Sequence, residues 1–246
     1  MPSPNFSVIT VTFNAASVIA GTEASLRSQH CQDYEWLVQD GGSTDGSLAW
    51  LQAAQPDVLV SEPDLGIYDA MNRAVARARG SWLYFLNAGD TFADDHVLDD
   101  ILSVIRAQAN ADVVFGDVVY FGDNGQRHRR FHWLTRRKLL FGDLCHQATF
   151  VRRSLFDRHG VFDTSLRWNA DFDWLLRVFR AGAGLRYVHR DIARFHDAGA
   201  HVLAAERSHA ERDIVRARYL PMPLWRAGNL ALRIEHRLRR LAGQSI

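Results

Sequence analysis

Hydrophobic positions along the chain fall into short blocks whose spacing alternates between that of a strand and that of a helix. Residues 6–13 (FSVITVTF) form a β-branched run that reads as a buried strand ending at Asn14. Ile19, Glu23 and Leu26 then take helical spacing, with Ser17 as the expected cap. Residues 34–39 (YEWLVQ) read as a second strand, which stops at Asp40-Gly41-Gly42-Ser43-Thr44-Asp45-Gly46, where glycines admit backbone conformations and close ligand approach that other residues resist. Strand, helix and strand in such short compass make a parallel crossover unit. That unit is right-handed, so Asn14 and Asp40 fall along one rim.

The alternation continues with an expected helix at 47–55, capped by Asp45 or Ser43, and a short strand at 58–61. A turn-rich segment, 62–68, leads into a helix expected at 69–79. Ile67, Met71, Ala74 and Ala78 share one of its faces, and Asp69, Asn72 and Arg73 share another that suits phosphate. Residues 81–90 (SWLYFLNAGD) follow. Their short aromatic-rich run between Gly80 and Gly89 reads as a strand buried on both faces, with Asp90 just past its carboxyl end. In an open α/β sheet that edge is where ligands bind. Two readings fit Asp90: a cap for the segment that follows, or an oxygen ligand for a hard cation such as Mg²⁺ or Mn²⁺ on a diphosphate. No GxGxxG follows the first strand, which argues against a dinucleotide fold.

Beyond Asp90 the pattern predicts a helix at 97–107, a strand at 111–120 and a hairpin at Asp123-Asn124-Gly125. Residues 126–142 are dense in Arg, His and aromatics, which fits either a basic flap over an anionic ligand or a solvated face. An apolar strand follows Cys145-His146-Gln147-Ala148, and a short helix at 154–159 is closed by Gly160. A helix beginning near Trp168 carries Asp171 and Asp173 in its first turn, where carboxylates complement the helix dipole. Trp168 and Trp174 are expected in the core. Residues 185–188 and 192–195 read as two short strands, followed by the segment 196–201 and two helical stretches. In the last of these Leu230, Ile234, Leu238 and Leu241 form a stripe beside Arg226, Arg233, Arg237 and Arg240. That spacing suits a helix lying on a membrane interface and equally one packed against protein.

Composition narrows the partner more than the fold. With 246 residues, 47% hydrophobic and 23% charged, the chain is an ordinary globular protein of one large domain or two small ones. A net charge of +1 lacks the basic excess of a nucleic-acid-binding surface, so no nucleic acid partner is expected. Cys31 and Cys145 fit no metal spacing and read as reduced thiols. The start of the chain has no basic region followed by an apolar core, and no apolar run reaches bilayer length. The expectation is a cytoplasmic protein.

Six segments in this order, SVITVTFN, DGGSTDGS, DLGIYDAMNRAVARARG, WLYFLNAGD, CHQATF and ADFDWLLR, resemble the family 2 glycosyltransferases. Within them they resemble the branch of bacterial exopolysaccharide, capsule and O-antigen assembly that includes the colanic acid transferases. The resemblance runs from Phe6 towards Gly199. It implies an α/β GT-A fold: a mostly parallel central sheet flanked by helices, a smaller acceptor-side sheet region and a helical C-terminus. It further implies an inverting transfer, with Mn²⁺ or Mg²⁺, from a UDP- or GDP-type nucleotide-diphosphate sugar to a glycan or polyprenyl-diphosphate-linked glycan. Residues 1–115 would be the nucleotide-sugar half, 116–204 the acceptor and catalytic-base half of the same domain, and 205–246 a helical segment touching the inner face of the plasma membrane.

Carried over by position, the resemblance assigns Asp40 to the nucleotide base, Thr12 and Asn14 to the nucleotide, and Arg73 to the diphosphate. Asp90 matches the metal-holding aspartate, with Asn87 on the donor side, and Asp171 matches the catalytic base. Either His196 or His201 falls where a mobile loop adds a metal or phosphate contact. His146 and Gln147 would line the acceptor side. The chain departs from the family pattern at Ala170, which precedes Asp171 where an acid is usual, and at Asn87 and Gly89, where carboxylates often stand. Those departures motivate an alternative, a non-catalytic nucleotide-sugar binder or partner subunit. A nucleotidyltransferase is a weaker third reading, because the basic glycine-rich first loop of that class is missing.

Overall fold

A computed structural model of the chain describes residues 3–122, 125–139, 141, 144–196 and 205–241. β1 (Phe6–Thr12), β2 (Tyr34–Asp40), β3 (Val58–Ser61) and β4 (Trp82–Phe85) pair in parallel, in the order β3-β2-β1-β4. Between them run α1 (Ile19–Arg27), α2 (Ser47–Ala54) and α3 (Ile67–Val75). Beyond β4 the sheet becomes mixed. β8 (Thr149–Arg152) pairs antiparallel to both β4 and β6 (Val113–Gly122), and β9 (Leu185–His196) runs parallel to β6. The short β5 (Thr91–Phe92) closes the far edge against β9, and β7 (Gly125–Arg129) forms a hairpin with β6. Asp123 and Asn124, the expected hairpin turn, lie outside the described residues.

Period-two patterning explains why β1 and β4 read as solid apolar runs. Ile9, Val11, Leu83 and Phe85 face a core shared with α3, α6 (Ser154–His159) and α7 (Ala170–Arg180). Phe6, Val8, Trp82 and Tyr84 face the opposite core, shared with α1, α2 and α4 (Val97–Ala107). With both faces covered, only the strand ends remain for a ligand. Gly80 lets β4 start close to β1, since a Cβ there would stand 2.4 Å from the Ser7 nitrogen.

Several local expectations are corrected. Ser17 does not cap α1: the helix starts after Val18, and the Val18 and Ile19 amides bond the Ala15 carbonyl, while the amides of Asn14, Ala15 and Ala16 are held by Ser43 Oγ, Ser47 Oγ and Asp45 Oδ2 of the neighbouring loop. The helix expected at 69–79 is Ile67–Val75, because buried Glu35 takes the Arg79 amide at 2.6 Å and pulls the chain out of helical bonding. The two short strands at 185–188 and 192–195 are one strand, β9, joined through a bulge opposite Asp117. Trp174 is core, stacked on Phe156 at 4.2 Å, but Trp168 is only half-buried, beneath the Arg167 guanidinium. In the basic stretch, which includes the single turn α5 (Arg136–Leu139), Phe131, Trp133 and Leu134 enter the core, and Arg130 and Lys138 pair with Asp117 and Glu235.

The chain ends in α8 (Ala205–Tyr219) and α9 (Met222–Leu241). Among the described residues no helix is long and apolar enough to cross a membrane.

Candidate active site

The carboxyl ends of β1, β2 and β4 form one rim. At β2, Asp40 is fully buried: Oδ2 accepts from the Gly42 and Ser43 amides and from Ser61 Oγ at 2.6 Å, and Oδ1 accepts from Ser43 Oγ. Its carboxylate therefore organises the DGGS loop from within. Asn14 sits in the left-handed region (φ 49°) and its Oδ1 accepts from the Thr44 amide at 2.9 Å, which locks the first turn to that loop. Phe13 stands exposed between them. Arg73 faces two carboxylates, Asp69 at 2.7 Å and Glu62 at 3.1 Å, and donates to the Pro63 carbonyl. Its charge is thus committed to shaping the 62–69 turn.

At β4 the chain turns sharply: the Asp90 amide bonds the Asn87 carbonyl, and Gly89 takes φ 95°. Three side-chain atoms on this rim are buried without a hydrogen-bond partner: Thr12 Oγ1, Asn87 Oδ1 and Asp90 Oδ2. Orphaned buried oxygens are rare and costly in a folded protein. Burial pushes the Asp90 carboxyl up to about 7, against the opposing pull of the His146 ring and a hydrogen bond from the Gln147 side chain. The register Thr91↔Arg194 runs the end of β9 towards this turn, and His196 closes that strand. His201 lies outside the described residues.

A single turn of 3₁₀ helix, His146–Ala148, joins this rim to α7. His146 Nε2 lies 3.0 Å from Asn87 Nδ2, and its Nδ1 lies 3.1 Å from Asp171 Oδ2. An Asn87 amide donating to Nε2 puts the ring proton on Nδ1, from which it is donated to Asp171. The other Asp171 oxygen accepts from the Tyr68 hydroxyl and from the Phe172 amide, both at 2.9 Å. Burial, then the Asp171 charge, raises the Tyr68 hydroxyl well above its ordinary range, so it stays a donor. Behind the pair lies a small cavity lined by Phe85, Phe156, Phe162 and Trp174.

The other acid of the first turn has a different task. Asp173 is buried and accepts from Arg218, Tyr219 and Arg177, fastening α8 to α7. Of the residues singled out in the sequence, the structure gathers Asn87, Asp90, His146 and Asp171 into one hydrogen-bonded group, with Gln147 next along the 3₁₀ turn and Thr12, Asn14 and Asp40 beside it. Tyr68 was missed. Its helical spacing with Met71 and Val75 marks an inward face, but its partner is 103 residues away. Glu211 was missed too: its carboxylate accepts from the amides of Arg167, Trp168 and Asn169, directly ahead of α7.

The Glycosyl transferase family 2 profile matches residues 7–160. A PGL/p-HBAD biosynthesis glycosyltransferase of Mycobacterium bovis is 35% identical over 209 residues, which cover 81% of this chain and 79% of that protein. An uncharacterized glycosyltransferase of Mycobacterium tuberculosis is 33% identical over 185 residues, 72% of this chain and 69% of its own. Among solved structures, S. aureus TarS 1-349 in complex with UDP-GlcNAc superposes with a TM-score of 0.73 at 18% identity, covering 91% of this chain and 70% of that one. The mannosyltransferase PcManGT from Pyrobaculum calidifontis, in complex with GDP-Man and Mn²⁺, gives 0.70 at 18% identity, covering 92% and 69%. The expected α/β GT-A fold is therefore the one observed, in a sheet that is parallel through β3-β2-β1-β4 and mixed beyond. With its profile matched from the first strand to the end of α6, and with relatives a third identical over most of their length, the chain belongs to glycosyl transferase family 2.

Proposed function

We propose that the chain transfers a sugar from a nucleotide-diphosphate donor, of UDP or GDP type, to a hydroxyl of a glycan or polyprenyl-diphosphate-linked glycan, with inversion, in cell-surface polysaccharide synthesis of the exopolysaccharide or O-antigen kind. The observation that carries this reading is the adjacency of two acids. His146 bonds both Asp171 and Asn87, and the Asn87 carbonyl accepts from the Asp90 amide. One acid thus stands at the donor rim and the other across a single turn from it. A relative named for PGL/p-HBAD biosynthesis supports a biosynthetic transferase.

In this reading Thr12, Asn14 and the loop built on Asp40 receive the nucleotide, with the exposed Phe13 ring beside its base. Arg73 acts indirectly, by holding the turn at 62–69. Asp90 Oδ2 and Asn87 Oδ1, buried oxygens without partners, are the donor chemistry that Mn²⁺ or Mg²⁺ takes, with His196 at the end of β9 as a further contact. When bound, such an ion offsets the charge that grows on the departing diphosphate. Asp171 accepts the acceptor proton as its O–H bond breaks and the new C–O bond forms. The electron pair of the old C–O bond leaves with the diphosphate, and attack from the opposite face inverts the anomeric carbon. Tyr68, His146 and the Phe172 amide hold the carboxylate still for that transfer. Residues 1–115 serve the donor and 116–204 the acceptor, in the cytoplasm, with the 205–246 segment against the inner face of the membrane.

The test is turnover of UDP- and GDP-sugars with Mn²⁺ by the wild type, Asp171→Asn and Asp90→Ala, after a thermal-shift screen for the donor. Turnover in the wild type, lost in both variants, is expected. Negligible turnover in all three, despite donor binding, would replace the transferase with a nucleotide-sugar binder.

A further inference from the structure

The chain carries a second cluster of ligating side chains well away from the rim. His30 lies between α1 and β2, on the amino side of the sheet, whereas Asp40, Asn87 and Asp90 lie on the carboxyl side. His30 and the pair Asp95-His96, which precedes α4, bring two imidazoles and one carboxylate together on the surface. His30 Nε2 is 3.7 Å from Asp95 Oδ2, and His96 Nε2 is 3.6 Å from Asp95 Oδ1. The two rings meet edge to face with centroids 4.1 Å apart, and one ligand atom from each of the three residues lies within 4.8 Å of the others. Around a tetrahedral zinc ion with bonds of about 2.0–2.1 Å, neighbouring ligand atoms stand roughly 3.3 Å apart. Exposed side chains reach that spacing by small rotations, with no backbone movement.

The backbone beneath is already fixed. The His30 amide bonds the Asp95 carbonyl at 2.9 Å, and the His96 amide bonds Asp94 Oδ1 at 2.9 Å. Buried Gln29 bridges the same two segments, accepting from the Leu98 amide at 3.0 Å and donating to the Asp94 carbonyl at 2.6 Å. Asp99 takes the Cys31 amide at 3.1 Å. Four hydrogen bonds therefore hold two chain segments, 65 residues apart, in the register that presents the three ligands.

We propose that His30, Asp95 and His96 form a binding site for one divalent ion of the zinc class, completed by water, that clasps the α1–β2 connection to the start of α4. Two imidazoles select Zn²⁺, Ni²⁺ or Cu²⁺ over Mg²⁺, which separates this site chemically from the buried oxygens of Asp90 and Asn87. The open fourth position and the exposed ligands give the ion a direct entry path.

Calorimetric titration of the untagged full chain with Zn²⁺ at pH 7.5, paired with thermal melts and Co²⁺ absorption spectra, tests the assignment. Saturable binding is expected, with a midpoint rise of about 5 °C at a hundredfold excess over Kd. His30→Ala and His96→Ala should each weaken it at least about tenfold, and Asp95→Asn should weaken it as well. Asp90→Ala should leave it unchanged, which distinguishes this site from the catalytic rim whatever the outcome there. Because the His30 and His96 side chains are 58% and 55% exposed, both variants are expected to fold, and their circular dichroism checks this. No saturable Zn²⁺ binding by the wild type, or binding that survives both histidine substitutions in folded protein, overturns the proposal.

Discussion

His146 Nδ1 stands 3.1 Å from Asp171 Oδ2, a contact between a 3₁₀ turn and the first turn of α7. The same imidazole touches Asn87 on the donor rim, so one ring sets the spacing between the donor side and the proton acceptor. Asp171→Asn keeps the shape of the side chain and removes its ability to take a proton. We expect kcat to fall about 10³-fold with donor affinity within about twofold of wild type. Single-turnover transfer and donor titration measure the two separately. A variant retaining a tenth of the wild-type rate would remove Asp171 from the base role.

Tyr68 supplies the only side-chain donor seen on Asp171 Oδ1 among the described residues. Tyr68→Phe leaves the ring in place within the core and withdraws a hydrogen bond to a carboxylate, worth about 1.5–3 kcal/mol. A carboxylate with a looser hold on its geometry transfers the proton less efficiently, so kcat should fall about tenfold with KM for the donor unchanged. Equal rates for Tyr68→Phe and wild type would mean that His146 and the Phe172 amide suffice.

Asp90 makes stability depend on pH. Its folded carboxyl titrates at about 7, because burial disfavours the charge, while the unfolded chain ionises it near the ordinary 3.8. Between those limits the folded state binds the extra proton, so stability is full below about pH 4 and declines as pH rises through 7, by up to about 4 kcal/mol. Asp90→Asn abolishes that dependence. Its Tm should exceed that of the wild type at pH 8, and the gap should close towards pH 4. Saturating Mn²⁺ should narrow the gap at pH 8. A gap of constant size across that range would contradict the buried carboxyl as its source.

The parallel half of the sheet was legible because its strands are buried on both faces: Phe6–Thr12 and Trp82–Phe85 leave almost no polar alternation to misread. The ends of those strands carried Asn14, Asp40, Asn87 and Asp90 to one rim by topology alone. What escaped were the start of a helix and interactions between distant segments. Ser17 has good capping chemistry, yet the helix begins one residue late for it, after Val18, and the Val18 and Ile19 amides both turn back to the Ala15 carbonyl. Arg73 lies on a polar helix face as expected, but Glu62 and Asp69 claim its charge. β9 looked like two strands because the bulge opposite Asp117 breaks its apolar run with His189, Arg190 and Asp191.

Glu211 illustrates how α8 reaches the site. Its carboxylate accepts from three successive amides, at 2.7–2.8 Å, immediately before the helix that carries Asp171. A negative charge there also complements the helix dipole. Glu211→Ala strands those amides and should cost about 2 kcal/mol of stability. Because the first turn of α7 loses its anchor, kcat should fall severalfold as well, while Glu211→Gln restores part of both. Melting curves and rates measured on the two variants check this. Loss of stability with an unchanged rate would confine Glu211 to a structural role.

α9 presents an outward apolar ridge: Leu230, Ile234 and Leu238 are 60%, 52% and 61% exposed, while Trp225 and Leu232 turn inward. At helical spacing Arg226 and Arg237 flank that ridge on one side. The side chains of Arg233, Arg240 and Leu241 are not among those described, so the ridge rests on its three central positions. An apolar strip lined by cations suits a bilayer carrying anionic headgroups, which is also where a lipid-linked acceptor would be met. Flotation with vesicles of anionic and of neutral lipid should show binding to the first, weakened by raised salt and by paired Leu230→Glu and Ile234→Glu substitutions. The same pair should leave turnover of a soluble acceptor unchanged, since both side chains are exposed and neither belongs to the group around Asp90 and Asp171. If the pair instead converts a dimer to a monomer in size-exclusion chromatography and vesicle binding is nil in both proteins, the ridge belongs to a second copy of the chain and the membrane assignment fails.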